Sequence, residues 1–332
     1  MKSRLVPRLV AFVAVGAILA WVLSRLDWRE LGARFAEASP EGIAAMTAVW
    51  IFALLLRPLR FWYLLTVLGG VRGARYRTIW TAMVLGMAVN SFAPMRAGDA
   101  VMAIFLRHRL NIEIHRSFTV IVADWLCDFI CVVVIFVSAL AFAPPIAAWI
   151  GHASMVVVAV GAAGLTGLSL ILRYRSQFLA IVDRWLARLL PKHRVRLHSI
   201  AAEILAGLTM IGRWRVSIPL VSISAVIWLV TACSYWFGMQ AVFNDAPSAA
   251  APFTMAAVAL SFVLPLGPGG LGAFEAAVVV ALAVFEVPVE ASVAFAVIAH
   301  GVQLGTVLLF TGLAVVTQRV DYRLLWAATE KR

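Results

Sequence analysis

Apolar positions run through this chain in long blocks, at about 8–24, 43–68, 79–106, 117–142, 146–172, 216–243, 253–287 and 290–317. Several blocks approach the roughly 20 apolar residues a helix needs to cross a bilayer. Two blocks contain breaks: Asn90-Ser-Phe-Ala-Pro-Met-Arg-Ala-Gly-Asp99 and Pro265-Leu-Gly-Pro-Gly-Gly-Leu-Gly-Ala-Phe-Glu275. Unpaired backbone is costly in hydrocarbon, so a broken helix at membrane depth survives only against protein or a water-filled cavity. Paired breaks at comparable places in two halves of a chain point to a transporter's binding site.

Composition agrees with the pattern. Over 332 residues the chain is 63% hydrophobic and 13% charged, where a soluble domain carries about a quarter charged residues. The sequence reads as one integral membrane domain over 1–332, with a first half at 1–172, a polar cytoplasmic linker at 173–215 and a second half at 216–332. The linker has an amphipathic stretch from Phe178 to Leu190. Trp185 and its leucine neighbours either lie on the membrane surface with Arg184 and Arg188 at the headgroups, or belong to a solvated helical hairpin. The basic N-terminus and its apolar run to Ser24 lack a small-residue cleavage site, so a retained first helix is expected.

The net charge of +12 does not indicate nucleic acid, because the arginines are spread between apolar blocks. Cytoplasmic loops of membrane proteins are rich in Lys and Arg. Arg72, Arg75 and Arg77, then Arg107, Arg109 and Arg116, then Arg173 to Arg215, and then Arg319, Arg323, Lys331 and Arg332 mark that side. Segments 143–152, 244–252 and 286–290 lack Lys and Arg. Blocks 79–106 and 253–287 must then enter and return from opposite sides. The expected fold is an all-α polytopic protein with about six crossing helices, two re-entrant hairpins and an inverted repeat, although each broken block also has the length for two short spans. The expected location is a bacterial cytoplasmic membrane, with both termini cytoplasmic.

Ionisable residues inside apolar sequence are costly and mark function by default. In the first break, Asn90, Arg96 and Asp99 stand beside Pro94 and Gly98. Arg96 and Asp99, three apart, either face each other to receive a lipid phosphate or divide into a snorkelling cation and a helix N-cap. In the second, Pro265, Pro268, Gly269, Gly270 and Gly272 let backbone approach a ligand, and a helix opens at about Ala273 with Glu275 in its first turn, where an acid suits the helix dipole. Arg60 reads as a snorkelling residue and Arg57 as the deeper partner of an acid or phosphate. Asp124 and Asp128 share one face of the 117–142 helix, and Arg57 or Arg96 is expected within reach of Asp99, Asp124 or Asp128. His300 and Gln303 are either core hydrogen-bonders or site residues. Cys127, Cys131 and Cys233 read as packing residues, and no cofactor or metal is expected. The chain shows no nucleophile–base spacing and no HExxH, which points away from an enzyme.

At the two breaks the chain resembles the transmembrane region of lysylphosphatidylglycerol synthases, a lipid-flipping domain found also as a stand-alone family. The resemblance rests on Asn90…Pro94-x-Arg96-x-Gly98-Asp99, the acidic pair on the next span, and Leu264-Pro265…Pro268-Gly269-Gly270-Leu271-Gly272-x-x-Glu275, and it covers most of the chain. It implies a flippase-like domain handling phospholipids or related polyprenyl, glyco- or hopanoid lipids, with lipids as ligands and envelope-lipid biosynthetic enzymes as possible partners. Two positions depart from the family pattern: Trp125 follows Asp124 where an Arg is common, and His300 stands about where the family often has another Arg. A membrane-embedded lipid transferase and a non-catalytic accessory subunit are the rival functions.

Overall fold

The computed structural model describes residues 26–93, 96–142, 148–243, 247–262 and 270–318. The apolar block at 8–24, Pro94, Pro265, Pro268, Gly269 and the basic tail beyond 318 lie outside the described residues. Within them the chain is helical: α1 (Trp28–Glu37), α2 (Pro40–Val67), α3 (Tyr76–Phe92), α4 (Ala97–Leu110), α5 (Ile114–Leu140), α6 (Ala148–Arg173), α7 (Arg175–Leu189), α8 (Arg194–Ile211), α9 (Trp214–Val242), α10 (Ala250–Ser261), α11 (Ala273–Ala283) and α12 (Val289–Gln318). Four of these, α2, α5, α9 and α12, are long and apolar enough to cross a membrane.

Local sequence sets the helix ends. Asp27 accepts from the backbone N–H groups of Arg29 and Glu30 at the start of α1, and Ser39 accepts from that of Gly42 at the start of α2. These bonds satisfy donors that a helix N-terminus leaves free. The two broken blocks become helix pairs, α3–α4 and α10–α11, whose gaps fall at the two breaks. With 12 and 11 residues, α10 and α11 are about 18 and 16 Å long, well short of a roughly 30 Å hydrocarbon core.

Hydrogen bonds show where the ends of these pairs lie. Arg77, in the first turn of α3, donates to the Thr317 carbonyl at 3.1 Å, and Arg109, in the last turn of α4, donates to the Gln318 carbonyl at 2.8 Å. Both ends of the first pair therefore sit at the C-terminal end of α12. At the other end of the bundle the Ser39 N–H reaches the Ala241 carbonyl at 2.8 Å, and the Asp27 N–H reaches Glu290 at 3.3 Å. α9 ends at Val242 beside the first of these contacts and α12 begins at Val289 beside the second, so the start of α10 and the end of α11 lie at this end. The pairs are hairpins that open from opposite ends of the bundle.

Packing repeats between the halves. α3 rests on α2 and on α12, while α4 rests on α5; correspondingly, α10 rests on α9 and on α5, while α11 rests on α12. The leading spans, α2 and α9, pack against each other. Small residues allow that approach: a Cβ at Gly42 would meet Ala241, and one at Gly238 would meet the Met46 sulfur and the Phe295 ring. Ser234 completes the contact by donating to the Met46 carbonyl at 2.9 Å. One apolar core surrounds α9–α12, with Phe253, Phe274, Phe285 and Phe295 buried, and a second joins the α3–α4 hairpin to α2 and α5.

Candidate functional site

α2 and α5 face each other through four charges. Arg60 is fully buried and donates from Nε to Asp124 Oδ1 at 2.8 Å and from Nη1 to Asp128 Oδ1 at 2.7 Å. Arg57 lies 3.5 Å from Asp128 Oδ2 with its guanidinium 5.3 Å from the centre of the Trp228 ring. Trp228 Nε1 donates to Asp128 Oδ1 at 3.0 Å, and Arg60 Nη1 reaches Ser224 Oγ at 3.3 Å. Two cations and two anions balance, which is the condition for keeping charges away from water. Arg60 Nη2 and Arg57 Nε are nevertheless buried without a hydrogen-bond partner.

Arg60 is therefore not a snorkelling residue; it is the deepest cation of the group, and Arg57 is the more accessible of the two. Position along the helix is a poor guide to depth here. Met46, Trp50, Ala53, Arg60 and Leu64 are buried at spacings of four, three, seven and four, so Arg60 falls on the packed stripe of α2. The same count also passes through position 57, so helical spacing alone does not separate Arg60 from Arg57. Ser224 and Trp228, four apart on α9, give no sequence signal of their own, because only tertiary packing sets them opposite Asp128.

The first break is held by its own side chains. Arg96 adopts a left-handed backbone, with φ 54°, and precedes α4 as its N-cap. Its Nε donates to Asp99 Oδ2 at 3.2 Å, and its guanidinium lies 4.2 Å from the centre of the Trp125 ring. Asn90, near the end of α3, accepts the Gly98 N–H at 2.8 Å and donates to Asp99 Oδ1 at 3.3 Å. Asp99 thus sits inside the first turn and is not the N-cap, since α4 has already begun at Ala97. Gly98 is required by close approach: a Cβ there would overlap the Gly86 carbonyl oxygen of α3. Arg96 keeps half its side-chain surface exposed, whereas Asp99 is nearly covered.

The second break ends in two glycines with positive φ, 70° at Gly270 and 83° at Gly272. A Cβ at Gly270 would also run into the Phe262 ring. Glu275, in the first turn of α11, accepts the Gly272 N–H on Oε2 at 2.7 Å, and its Oε1 lies 2.7 Å from His300 Nδ1. The Phe274 ring stacks on His300 with centroids 4.5 Å apart. Glu275 therefore does more than complement a helix dipole: it fastens the glycine turn to α12. Gln303, one turn on from His300, donates to the Tyr235 hydroxyl at 3.2 Å.

The sequence-derived candidates thus fall into three groups: Arg57, Asp124 and Asp128 in the four-charge cluster, Asn90, Arg96 and Asp99 at the first break, and Gly270, Gly272, Glu275 and His300 at the second. The first two meet on α5, where Trp125 follows Asp124. Where Arg57 or Arg96 is expected within reach of Asp99, Asp124 or Asp128, both arginines reach an acid, Arg57 at Asp128 and Arg96 at Asp99. Pro265 and Gly269 remain outside the described residues.

No curated protein matches the chain. The model of the family described as the lysylphosphatidylglycerol synthase TM region matches residues 8–311, and no other domain is found. With four apolar helices of spanning length and a family match over most of its length, the chain is an integral membrane protein that belongs to the lysylphosphatidylglycerol synthase TM region family.

Proposed function

We propose that this protein is a lipid translocase that moves a phosphate-bearing lipid across a bacterial cytoplasmic membrane. The observation that carries the reading is the pair of glycine-bearing breaks in hairpins that open from opposite ends of one bundle, each with ionisable side chains at the break. In this reading the hairpins are re-entrant. Of the described helices, α2, α5, α6, α9 and α12 cross. The two halves form an inverted repeat. The end gathering Arg77 and Arg109 faces the cytoplasm, as basic residues do in membrane proteins, and the end with Asp27, Glu286 and Glu290 faces outward.

The headgroup passes between the breaks while the tails stay in lipid. Arg96 is the first contact: it is half-exposed, lies at the N-terminal end of α4 and has two further N–H-bearing nitrogens besides the one bonded to Asp99. Planar guanidinium groups suit phosphate oxygens, and a helix N-terminus adds partial positive charge. Arg57 is the second contact, because its single 3.5 Å link to Asp128 is the loosest in the cluster. When phosphate takes Arg57, Trp228 and Arg60 still satisfy Asp128. Arg60, held by two carboxylates, acts as their counter-charge and is not itself a ligand. No ATP-hydrolysing machinery is legible in the sequence, so movement is downhill or ion-coupled.

Asp124 and Asp128 accept from arginines, which favours a charge-balancing role over the activation of a reacting group. The decisive experiment is reconstitution into vesicles with a fluorescent phospholipid and a headgroup-accessibility readout. Arg96→Gln should slow translocation strongly while leaving the protein folded. Wild-type rates in Arg96→Gln and Arg57→Gln together would overturn the reading and favour an accessory role.

A further inference from the structure

Between α6 and α9 the chain forms α7 and α8, joined by a 3-10 turn at Pro191–His193. α7 packs on α8, and Phe178, Leu179, Val182 and Leu186 are half-buried on that side. A second apolar face has no partner among the described residues. Ile181, Trp185 and Leu189 repeat at four-residue spacing and are exposed, Trp185 at 60% and Leu189 at 67%. Tyr174, one α-helical heptad before Ile181, continues the stripe to the end of α6. Arg184 and Arg188 flank it.

The charge around this stripe has one sign. Seven Lys or Arg residues lie between Arg173 and Arg196, with Asp183 as the single acid. Asp183 is already engaged: Arg194 grips it with bonds of 2.8 and 2.6 Å, and that hydrogen bonding holds its carboxyl below the ordinary range. It staples α7 to α8 and leaves Arg184 and Arg188 uncompensated. The hairpin also has a fixed place. His115 at the start of α5 lies 2.6 Å from Glu203 of α8, and Gly207 abuts Thr119, so α8 is anchored at the end of the bundle where Arg77 and Arg109 gather.

We propose that α7 lies in the interface of the leaflet at this basic end, with Trp185 and Leu189 at the acyl boundary and Arg184 and Arg188 on the phosphates of anionic lipids. An apolar stripe edged by arginines is how a helix binds in the plane of a membrane, and basic juxtamembrane residues favour anionic leaflets. The partner is the surrounding bilayer, distinct from any transported lipid, and the site is independent of the breaks.

Spin labels on the full chain test this, in a background with Cys127, Cys131 and Cys233 replaced by alanine. Labels at Leu189→Cys and Ile181→Cys probe the stripe, and one at Ala180→Cys probes the opposite, exposed side. In vesicles containing phosphatidylglycerol, labels at 181 and 189 should collide more with oxygen than with an aqueous nickel chelate, and the label at 180 should show the reverse. Adding Arg184→Gln and Arg188→Gln, or changing to pure phosphatidylcholine, should lower the oxygen preference at 189 roughly twofold or more. Equal aqueous access at all three sites would overturn the proposal, as would spin–spin broadening that reveals a second copy on this face. An unchanged preference in phosphatidylcholine would overturn the role given to the arginines. Translocation assays are not involved, so failure here is separable from failure of the transport reading.

Discussion

Arg60 is the residue whose loss should be felt most. Its two bonds neutralise Asp124 and Asp128, and removing one member of a buried ionic group leaves an uncompensated charge that costs about 3–5 kcal/mol. Arg60→Ala should therefore lower the thermal stability of the detergent-solubilised protein far more than Arg57→Ala, because Arg57 makes one longer contact and retains some access to solvent. Adding Asp124→Asn to Arg60→Ala should recover part of the loss, since fewer charges then stand alone. Equal melting temperatures for the two single variants would mean that the cluster is hydrated and does not organise the bundle.

At the scale of elements, each hairpin depends on a glycine for a different reason. Gly98 is needed because α3 and α4 touch backbone to backbone at Gly86. Gly98→Val should splay the pair and disturb the Asn90–Gly98–Asp99 hydrogen bonds, which protease sensitivity of the folded protein would register. Gly270 is needed for its left-handed backbone as well as its contact with Phe262. A residue with a Cβ in that conformation costs about 1–2 kcal/mol, so shortening the ring with Phe262→Ala should rescue Gly270→Ala only in part. Full rescue would show that the ring contact alone imposes glycine. Glu275→Gln keeps an acceptor for the Gly272 N–H but loses its charge toward His300. Transport should fall slightly if Glu275 only fixes the turn and severely if it carries a proton.

For the whole molecule, the opposed hairpins and the asymmetric charge make one topological prediction. Cysteines introduced in place of Arg77 and Arg109 should react with a membrane-impermeant reagent from the same side of the membrane. A cysteine in place of Glu290 should react from the other side. Opposite sidedness for positions 77 and 109 would turn α3 and α4 into two full crossings and dissolve the correspondence between the halves.

Much of this organisation was written in the chain. Apolar blocks longer than one span, interrupted by Pro and Gly, specify helix pairs because local backbone chemistry ends a helix whatever surrounds it. Arginine-rich loops predict which ends of the bundle lie together by the same local reasoning. The spacings of Arg96 with Asp99 and of Asp124 with Asp128 place each pair on one helix face. Which partner meets which was not written there. Arg60 rather than Arg57 occupies the buried centre because the stripe of α2 that packs on α5 and α9 passes through position 60. Glu275 meets His300 because α11 lies against α12, and Trp228 meets Asp128 because α9 lies against α5. Sequence fixes what a helix is and where it stops, since those depend on neighbours a few residues away. Only the tertiary structure decides which charges neutralise each other, because the partners are drawn from helices separated by tens or hundreds of residues.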